Sequence, residues 1–268
     1  MTATSIIVAG CSGRMGRAVL SAVHETGGTR LAGGFDRAEC AEKGRDLGAL
    51  IGVDGLGLCV MGSAEEVGPA DAMIDFTAPA ASVKNATACA ATGTAFIVGT
   101  TGLSEEDEAA IAAAAEKTVI VKSGNMSLGV NLLSALVERA AAALGEDFDI
   151  EIAEMHHRHK VDAPSGTALL LGEAAARGRD IDLASRSVRS RDGITGARQS
   201  GDIGFATLRG GGVVGEHSVL FASDTEVLAL KHSALDRSLF AKGAVAAAKW
   251  AKGKTPGLYS MRDVLGLG

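Results

Sequence analysis

Short apolar runs alternate with amphipathic stretches over the first 127 residues. The run Ser5-Ile-Ile-Val-Ala9 is closed by Gly10, and Arg14 to His24 then carries Met15, Val19 and Val23 at helical spacing. Further strands are predicted at Thr29–Phe35, Ala72–Phe76, Ala95–Val98 and Thr118–Lys122. Between them, helices are predicted over Ala80–Ala91 and from Ser104 to Lys117, the latter opened by a capping box of Ser104 with Asp107. Strands that alternate with helices of about ten residues predict a parallel, doubly wound sheet.

The pattern changes after Leu128. A long helix is predicted over Gly129–Leu144, a half-buried strand over Phe148–Met155 and a helix over Thr167–Ala176. From Ser187 to Leu230 the segments read as strands joined by glycine-rich turns, an antiparallel α+β composition. A helix over Asp236–Trp250 and a short apolar segment, Tyr259 to Leu265, close the chain. The expected fold class is α/β: an N-terminal Rossmann-like domain over residues 1–127 and a smaller α+β domain over 128–236.

Composition narrows the partners. A net charge of −6 without a long basic run argues against nucleic acid, which needs a basic face for its phosphates. No apolar run reaches membrane length, and Met1 to Ser5 lacks the basic start of a signal peptide, so neither membrane nor export is expected. Cys11, Cys40, Cys59 and Cys89 form no close pair and no metal-like spacing. Free thiols suit a cytoplasmic protein; a single disulfide is the alternative.

Gly10-Cys11-Ser12-Gly13-Arg14-Met15-Gly16 lies between the first strand and the first helix. Glycines there permit a tight turn, approach of backbone to a pyrophosphate and close helix–strand packing, and the helix start offers free N–H groups to phosphate. The spacing G-x-x-G-x-x-G is less specific than G-x-G-x-x-G, and a turn holding no ligand is the alternative. Context favours a nicotinamide dinucleotide. Asp36 closes the second strand, where a carboxylate accepts from ribose hydroxyls, and Arg37 beside it could meet a 2′-phosphate, so both NADH and NADPH stay open. Gly99-Thr100-Thr101-Gly102 and Ser123-Gly124-Asn125-Met126 also fall at strand carboxyl ends, where open α/β sheets bind ligands.

The richest stretch is Glu154-Met-His156-His157-Arg158-His159-Lys160-Val-Asp162-Ala-Pro164-Ser165-Gly166-Thr167. Clustered cations disfavour protonation of each imidazole, so these histidines should titrate near or below neutrality and serve as proton donors or acceptors. Without a cysteine partner the run makes a poor zinc site, and no metal is expected. A solvated strand edge or an interface patch is the plain alternative. Ser165 is placed to cap a helix whose Gly166 and Thr167 N–H groups would be unpaired, a start that suits carboxylate. Cations followed by an anion cradle suggest a substrate with two carboxylates and a step that needs a proton.

The run E-M-H-H-R-H-K-V-D-A-P-S-G-T-A resembles the signature of the bacterial dihydrodipicolinate reductases. The likeness spans nearly the whole chain, through Asp75-Phe-Thr77, Ser123 to Asn131, Gly215-Glu-His217, His232-Ser-Ala-x-x-Arg237 and Met261-x-Asp-Val-Leu-Gly266. It implies NAD(P)H-dependent reduction of a small cyclic dicarboxylate on the diaminopimelate route to lysine. His156 and Lys160 would handle the proton, and His157, Gly166 and Thr167 would hold the substrate carboxylates. Gly10 to Met15, Asp36, Gly99 to Thr101 and Ser123 to Met126 would line the cofactor site; members often carry Glu where Asp36 stands. The resemblance further implies an open mixed sheet in the second domain used for tetramerisation, and a C-terminal segment, 237–268, that returns to the dinucleotide-binding domain. The competing functions are a nucleotide-binding regulator, which has no use for His156 and Lys160, and a different Rossmann dehydrogenase. Of the latter, a semialdehyde-type enzyme would need a nucleophilic cysteine in the second domain, where none lies.

Overall fold

Runs of apolar residues buried on both faces build the first of two units in the computed structural model, which describes residues 2–267. In chain order its elements are β1 (Thr4–Ala9), α1 (Arg14–Glu25), β2 (Thr29–Phe35), α2 (Leu47–Ile51), β3 (Val60–Met61), α3 (Ala64–Val67), β4 (Ala72–Asp75), α4 (Pro79–Thr92), β5 (Ala95–Val98), α5 (Glu105–Ala115) and β6 (Val119–Lys122). The second unit holds α6 (Leu128–Leu144), β7 (Asp149–His156), α7 (Gly166–Arg179), α8 (Leu183–Arg186), β8 (Ser187–Val188), β9 (Ile203–Arg209), β10 (Gly215–Ala222) and β11 (Val227–Ala234). The first unit runs to Leu128 and resumes at Ser238, with α9 (Ser238–Ala251), β12 (Gly257–Tyr259) and α10 (Met261–Val264).

All seven strands of the first sheet are parallel, in the order β12-β6-β5-β4-β1-β2-β3. Successive residues of a strand feed opposite layers: Ile6 and Val8 join a core with α1 and α9, while Ile7 and Ala9 join one with α4 and α5. Each fully buried aliphatic side chain contributes about 1.5–3 kcal/mol relative to exposure. Helix α9 is mostly alanine on its buried side and relies on close approach instead. A Cβ at Gly243 would lie 1.8 Å from the Met126 carbonyl oxygen, so helix and loop touch backbone to backbone. The stretch between Asp36 and Asp71, which shows no clear period in the sequence, supplies α2, β3 and α3. The closing segment divides into β12, an edge strand beside β6, and the capped turn of α10.

The second sheet, ordered β11-β10-β7-β9-β8, is mixed. Strand β10 is antiparallel to β7 and β11, but β9 runs parallel to both β7 and β8. This corrects the antiparallel expectation for these segments. Helix α7 is a crossover between β7 and β9, and a crossover delivers the next strand in the same direction. One face packs Ile150, Ile152, Phe205, Val219 and Phe221 against α6 and α7. By alternation the other face presents Ala153, Met155, Ala206, Leu208 and Leu220, with Leu208 56% exposed. All four cysteines are free. Among the described residues no helix is long and apolar enough to cross a membrane.

Candidate active site

The glycine loop leaves the carboxyl end of β1, where the strand order reverses between β2 on one side and β4 on the other. Such a reversal opens a ligand crevice. Gly10 has φ +63°, and a Cβ there would come 2.7 Å from Thr77 Cγ2 on the neighbouring loop; one at Gly16 would come 2.0 Å from the Gly10 carbonyl oxygen. Both positions therefore require glycine. Helix α1 begins at Gly13 with no side-chain cap and no acid in its first turn, whereas Ser104 caps α5 and Ser165 caps α7. An uncapped start with its positive dipole end suits an anion.

Around this loop the polar residues lock one another. Asp36 accepts the Ser12 N–H at 3.2 Å and the Arg37 N–H at 2.8 Å, so it braces the loop as well as presenting a carboxylate. Arg14, Arg37, Thr101 and Gly124 are exposed; Gly99 is half-buried. The Cys11 and Met126 side chains lie in the core, so any part they take in a site is through main chain. Burial, then the charge of Asp36, pushes the Cys11 thiol up to about 12. Ser123 Oγ donates to the Asn125 carbonyl at 2.7 Å and accepts the Asn125 N–H at 3.2 Å. Thr100 is buried, accepting from Ser82 Oγ at 2.8 Å and donating to Asp75 at 3.5 Å. Asp75 also accepts from Thr77 N–H (2.7 Å), Thr77 Oγ1 (2.6 Å) and Asn85 Nδ2 (2.8 Å). Asp75 was legible only as part of a motif; its role as the tie between the loops after β4 and β5 was not.

The histidine run closes β7. His156 is 8% exposed, and its Nδ1 lies 2.6 Å from Glu154 Oε2. The buried Glu154 carboxylate also takes Arg209 at both oxygens (2.8 and 2.9 Å) and the Ser165 N–H at 3.0 Å. Burial raises its pKa, but the hydrogen bonds from Arg209, His156 and Ser165 outweigh burial and hold it below the ordinary carboxylate value. Opposite Glu154 on β10 stands His217, its ring 5.0 Å from that of His156 in an edge-on arrangement, with Nε2 3.1 Å from Ser165 Oγ. Burial, then the charge of His156, pushes His217 down to about 4. His232 faces His217 across β11 and is lowered by burial.

His157 Nε2 lies 3.1 Å from Arg237 Nη2, and because a guanidinium only donates, that nitrogen accepts. Burial first, then Arg237 and the neighbouring cations, lowers the His157 pKa. The direction matches the sequence expectation, with burial the larger cause. His159 is exposed. Lys160 Nζ pairs with Asp162 at 2.9 Å. The Ser165 hydroxyl caps α7 by accepting the Ala168 N–H. His156, His157, Lys160, Gly166 and Thr167 thus share one connection, β7 to α7. Glu154, Arg209, His217 and Arg237 join them without having been assigned roles from sequence. The glycine-rich turn after Arg209 docks on the run, with Gly210 N–H on the His156 carbonyl (2.9 Å) and Arg158 N–H on that of Gly211 (3.3 Å).

Two family models match the chain: "Dihydrodipicolinate reductase, N-terminus" over residues 4–126 and "Dihydrodipicolinate reductase, C-terminus" over 129–265. The 4-hydroxy-tetrahydrodipicolinate reductase of Rhodopseudomonas palustris strain TIE-1 is 55% identical over 269 residues, covering 100% of this chain and 99% of that protein. The enzymes of the same name from Brucella melitensis and Methylocella silvestris are 57% and 58% identical over 264 residues, with 98% of this chain and 98% and 97% of theirs covered. A dipicolinate-bound dihydrodipicolinate reductase from Paenisporosarcina sp. TG-14 shares the fold, with a TM-score of 0.77 at 23% identity over 97% of this chain and 98% of its own.

Proposed function

Because the chain belongs to the dihydrodipicolinate reductase family, we propose that its units divide one reaction, the first holding the cofactor and the second holding the substrate and moving a proton. The activity is reduction of 4-hydroxy-tetrahydrodipicolinate to tetrahydrodipicolinate with NADH or NADPH, on the diaminopimelate route of lysine biosynthesis. The observation that carries the division is the meeting of His156, His157 and Lys160 with the start of α7 on a single connection.

The first unit's residues fit a dinucleotide. The uncapped start of α1 and the closely packed glycines leave a backbone cradle for pyrophosphate, and Asp36 keeps acceptor capacity beyond its two backbone donors. Gly10 to Met15, Gly99 to Thr101 and Ser123 to Met126 would border it, with Arg37 beside Asp36 available to a 2′-phosphate. When bound, the reduced nicotinamide supplies hydride to the substrate ring.

The second unit supplies the rest. His157 and the Gly166 and Thr167 N–H groups hold the substrate carboxylates. Asp162 supports this, since one of the chain's own carboxylates already pairs with the Lys160 ammonium. The 4-hydroxyl group leaves as water, hydride addition to the resulting unsaturated ring leaves electron density on the neighbouring ring carbon, and a proton from His156 or Lys160 quenches it. General acid assistance of this kind is worth roughly 10² to 10⁴ in rate. The open face of the second sheet, where Leu208 and Val227 are exposed, supports assembly as a homotetramer. Four free thiols in an acidic chain support a cytoplasmic location.

The test generates substrate in place from pyruvate and aspartate semialdehyde with the preceding synthase and follows cofactor absorbance. Oxidation of NADH or NADPH that requires this substrate is expected. No oxidation by folded protein that still binds cofactor would overturn the proposal.

A further inference from the structure

We infer that Glu154 is a positioning residue for proton transfer: it holds His156 as the Nδ1–H tautomer and, through its other oxygen, ties that ring to the start of α7. The inference rests on the assignment of His156 to proton transfer. The sequence gives Glu154 no role beyond opening a motif; the geometry does.

A carboxylate with a side chain 1% exposed is costly to bury unless its charge is matched. Here Arg209 takes both oxygens, His156 takes Oε2 and the Ser165 N–H takes Oε1. Ionised, the carboxylate can only accept, so the hydrogen in the 2.6 Å contact belongs to His156 Nδ1. The atom left to give or take a proton is Nε2. A Cβ built on Gly215 would lie 3.1 Å from Nε2, so glycine there keeps that edge of the ring uncrowded. On the second oxygen, Ser165 is fixed by its N–H to Glu154, while its hydroxyl caps α7 and meets His217. One carboxylate therefore sets the distance between the proton-bearing ring and the helix start assigned to a substrate carboxylate. Arg209 neutralises it, and the glycine-rich turn that follows Arg209 holds the His156 carbonyl, which gives that turn its purpose.

The titratable and charged groups around His156 are Glu154 on its own strand, Arg209 on β9, His217 on β10, and His157 and Lys160 just downstream. In Glu154→Gln a single oxygen can keep the Ser165 N–H, which leaves the amide NH₂ facing His156 Nδ1. The ring must then accept at Nδ1 and carry its proton on Nε2, and Arg209 loses its ionic partner while keeping the Leu208 and Asp162 carbonyls.

The experiment uses full-length protein labelled with ¹⁵N-histidine, with His156→Ala assigning the His156 signals. Ring nitrogen–proton correlation spectra of the wild type, taken where His156 is neutral, should show Nδ1–H. Glu154→Gln should reverse the tautomer and lower kcat by about 10² or more, with substrate KM nearly unchanged and the alkaline limb of the kcat profile moved to lower pH. An Nε2–H tautomer in the wild type overturns the inference, and needs no variant to fold. So does Glu154→Gln with unchanged kcat and tautomer while His156→Ala loses turnover. If His156→Ala keeps turnover, the proton-transfer assignment fails instead, and the wild-type tautomer still judges whether Glu154 holds the ring.

Discussion

Gly16→Ala probes the cofactor cradle at its tightest point. A Cβ at position 16 would lie 2.0 Å from the Gly10 carbonyl oxygen, 2.7 Å from Cys11 Cα and 2.8 Å from the Gly10 carbonyl carbon. All three are backbone atoms, so no side chain can swing aside. To restore an ordinary contact near 3.4 Å, helix and loop must part by about 1.4 Å at the closest atom. Overpacking of this kind costs typically about 1–3 kcal/mol of stability. The larger effect falls on binding, because the displaced backbone is the surface assigned to the pyrophosphate, and a misplacement of about 1 Å can cost roughly 10²-fold. The expected outcome is a rise in the Kd of NADH and NADPH of about 30- to 100-fold, measured by calorimetric titration. Gly27→Ala, in a turn of the same unit where a Cβ meets nothing within 4 Å, serves as control and should bind normally. Wild-type affinity and stability in Gly16→Ala would refute the claim that close packing at this loop forms the cofactor site.

Acidification should destabilise the second unit through His217. Its folded pKa is about 4 against 6.5 for the free group, so between those values the unfolded chain binds more protons and stability rises with pH. The contribution is whole above about pH 6.5 and falls by about 3 kcal/mol towards pH 4; denaturant unfolding of His217→Gln should show a flatter dependence over that window, and an unchanged slope would refute it. Asp75→Ala strips the acceptor from Thr77, Asn85 and Thr100; a loss of about 1–3 kcal/mol in unfolding free energy is expected, accompanied by weaker cofactor binding. Leu208→Asp places a charge on the open face of the second sheet and should shift sedimentation towards smaller species, whereas an unaltered assembly would show that this face is not the interface.

Local pattern carried much of the fold and rather less of the site. Strands β1, β4, β5 and β6 were legible because parallel strands buried on both faces read as nearly continuous apolar runs, whereas β2, only partly buried over its first four residues, was legible from its place between the first helix and Asp36. The edge strands β3 and β12 are two and three residues long, too short to show a period. The direction of β9 depends on which strand it joins through α7, and glycine-rich turns beside it suggested a hairpin instead. The same division holds in the site. His156, Lys160 and Ser165 sit within one stretch of chain and could be read together. Arg209 reaches Glu154 from 55 residues away and His217 reaches Ser165 from 52, contacts that only the sheet brings about.

The central claim is that the β7–α7 connection delivers the proton to a ring reduced by NADH or NADPH. Its most direct test is steady-state turnover of 4-hydroxy-tetrahydrodipicolinate by wild type, His156→Ala and Lys160→Ala, with cofactor affinity measured in parallel. The expected result is a fall in kcat of about 10² to 10⁴ in at least one of the two variants, with cofactor binding intact. Full turnover in both variants would contradict the claim and move the proton source elsewhere.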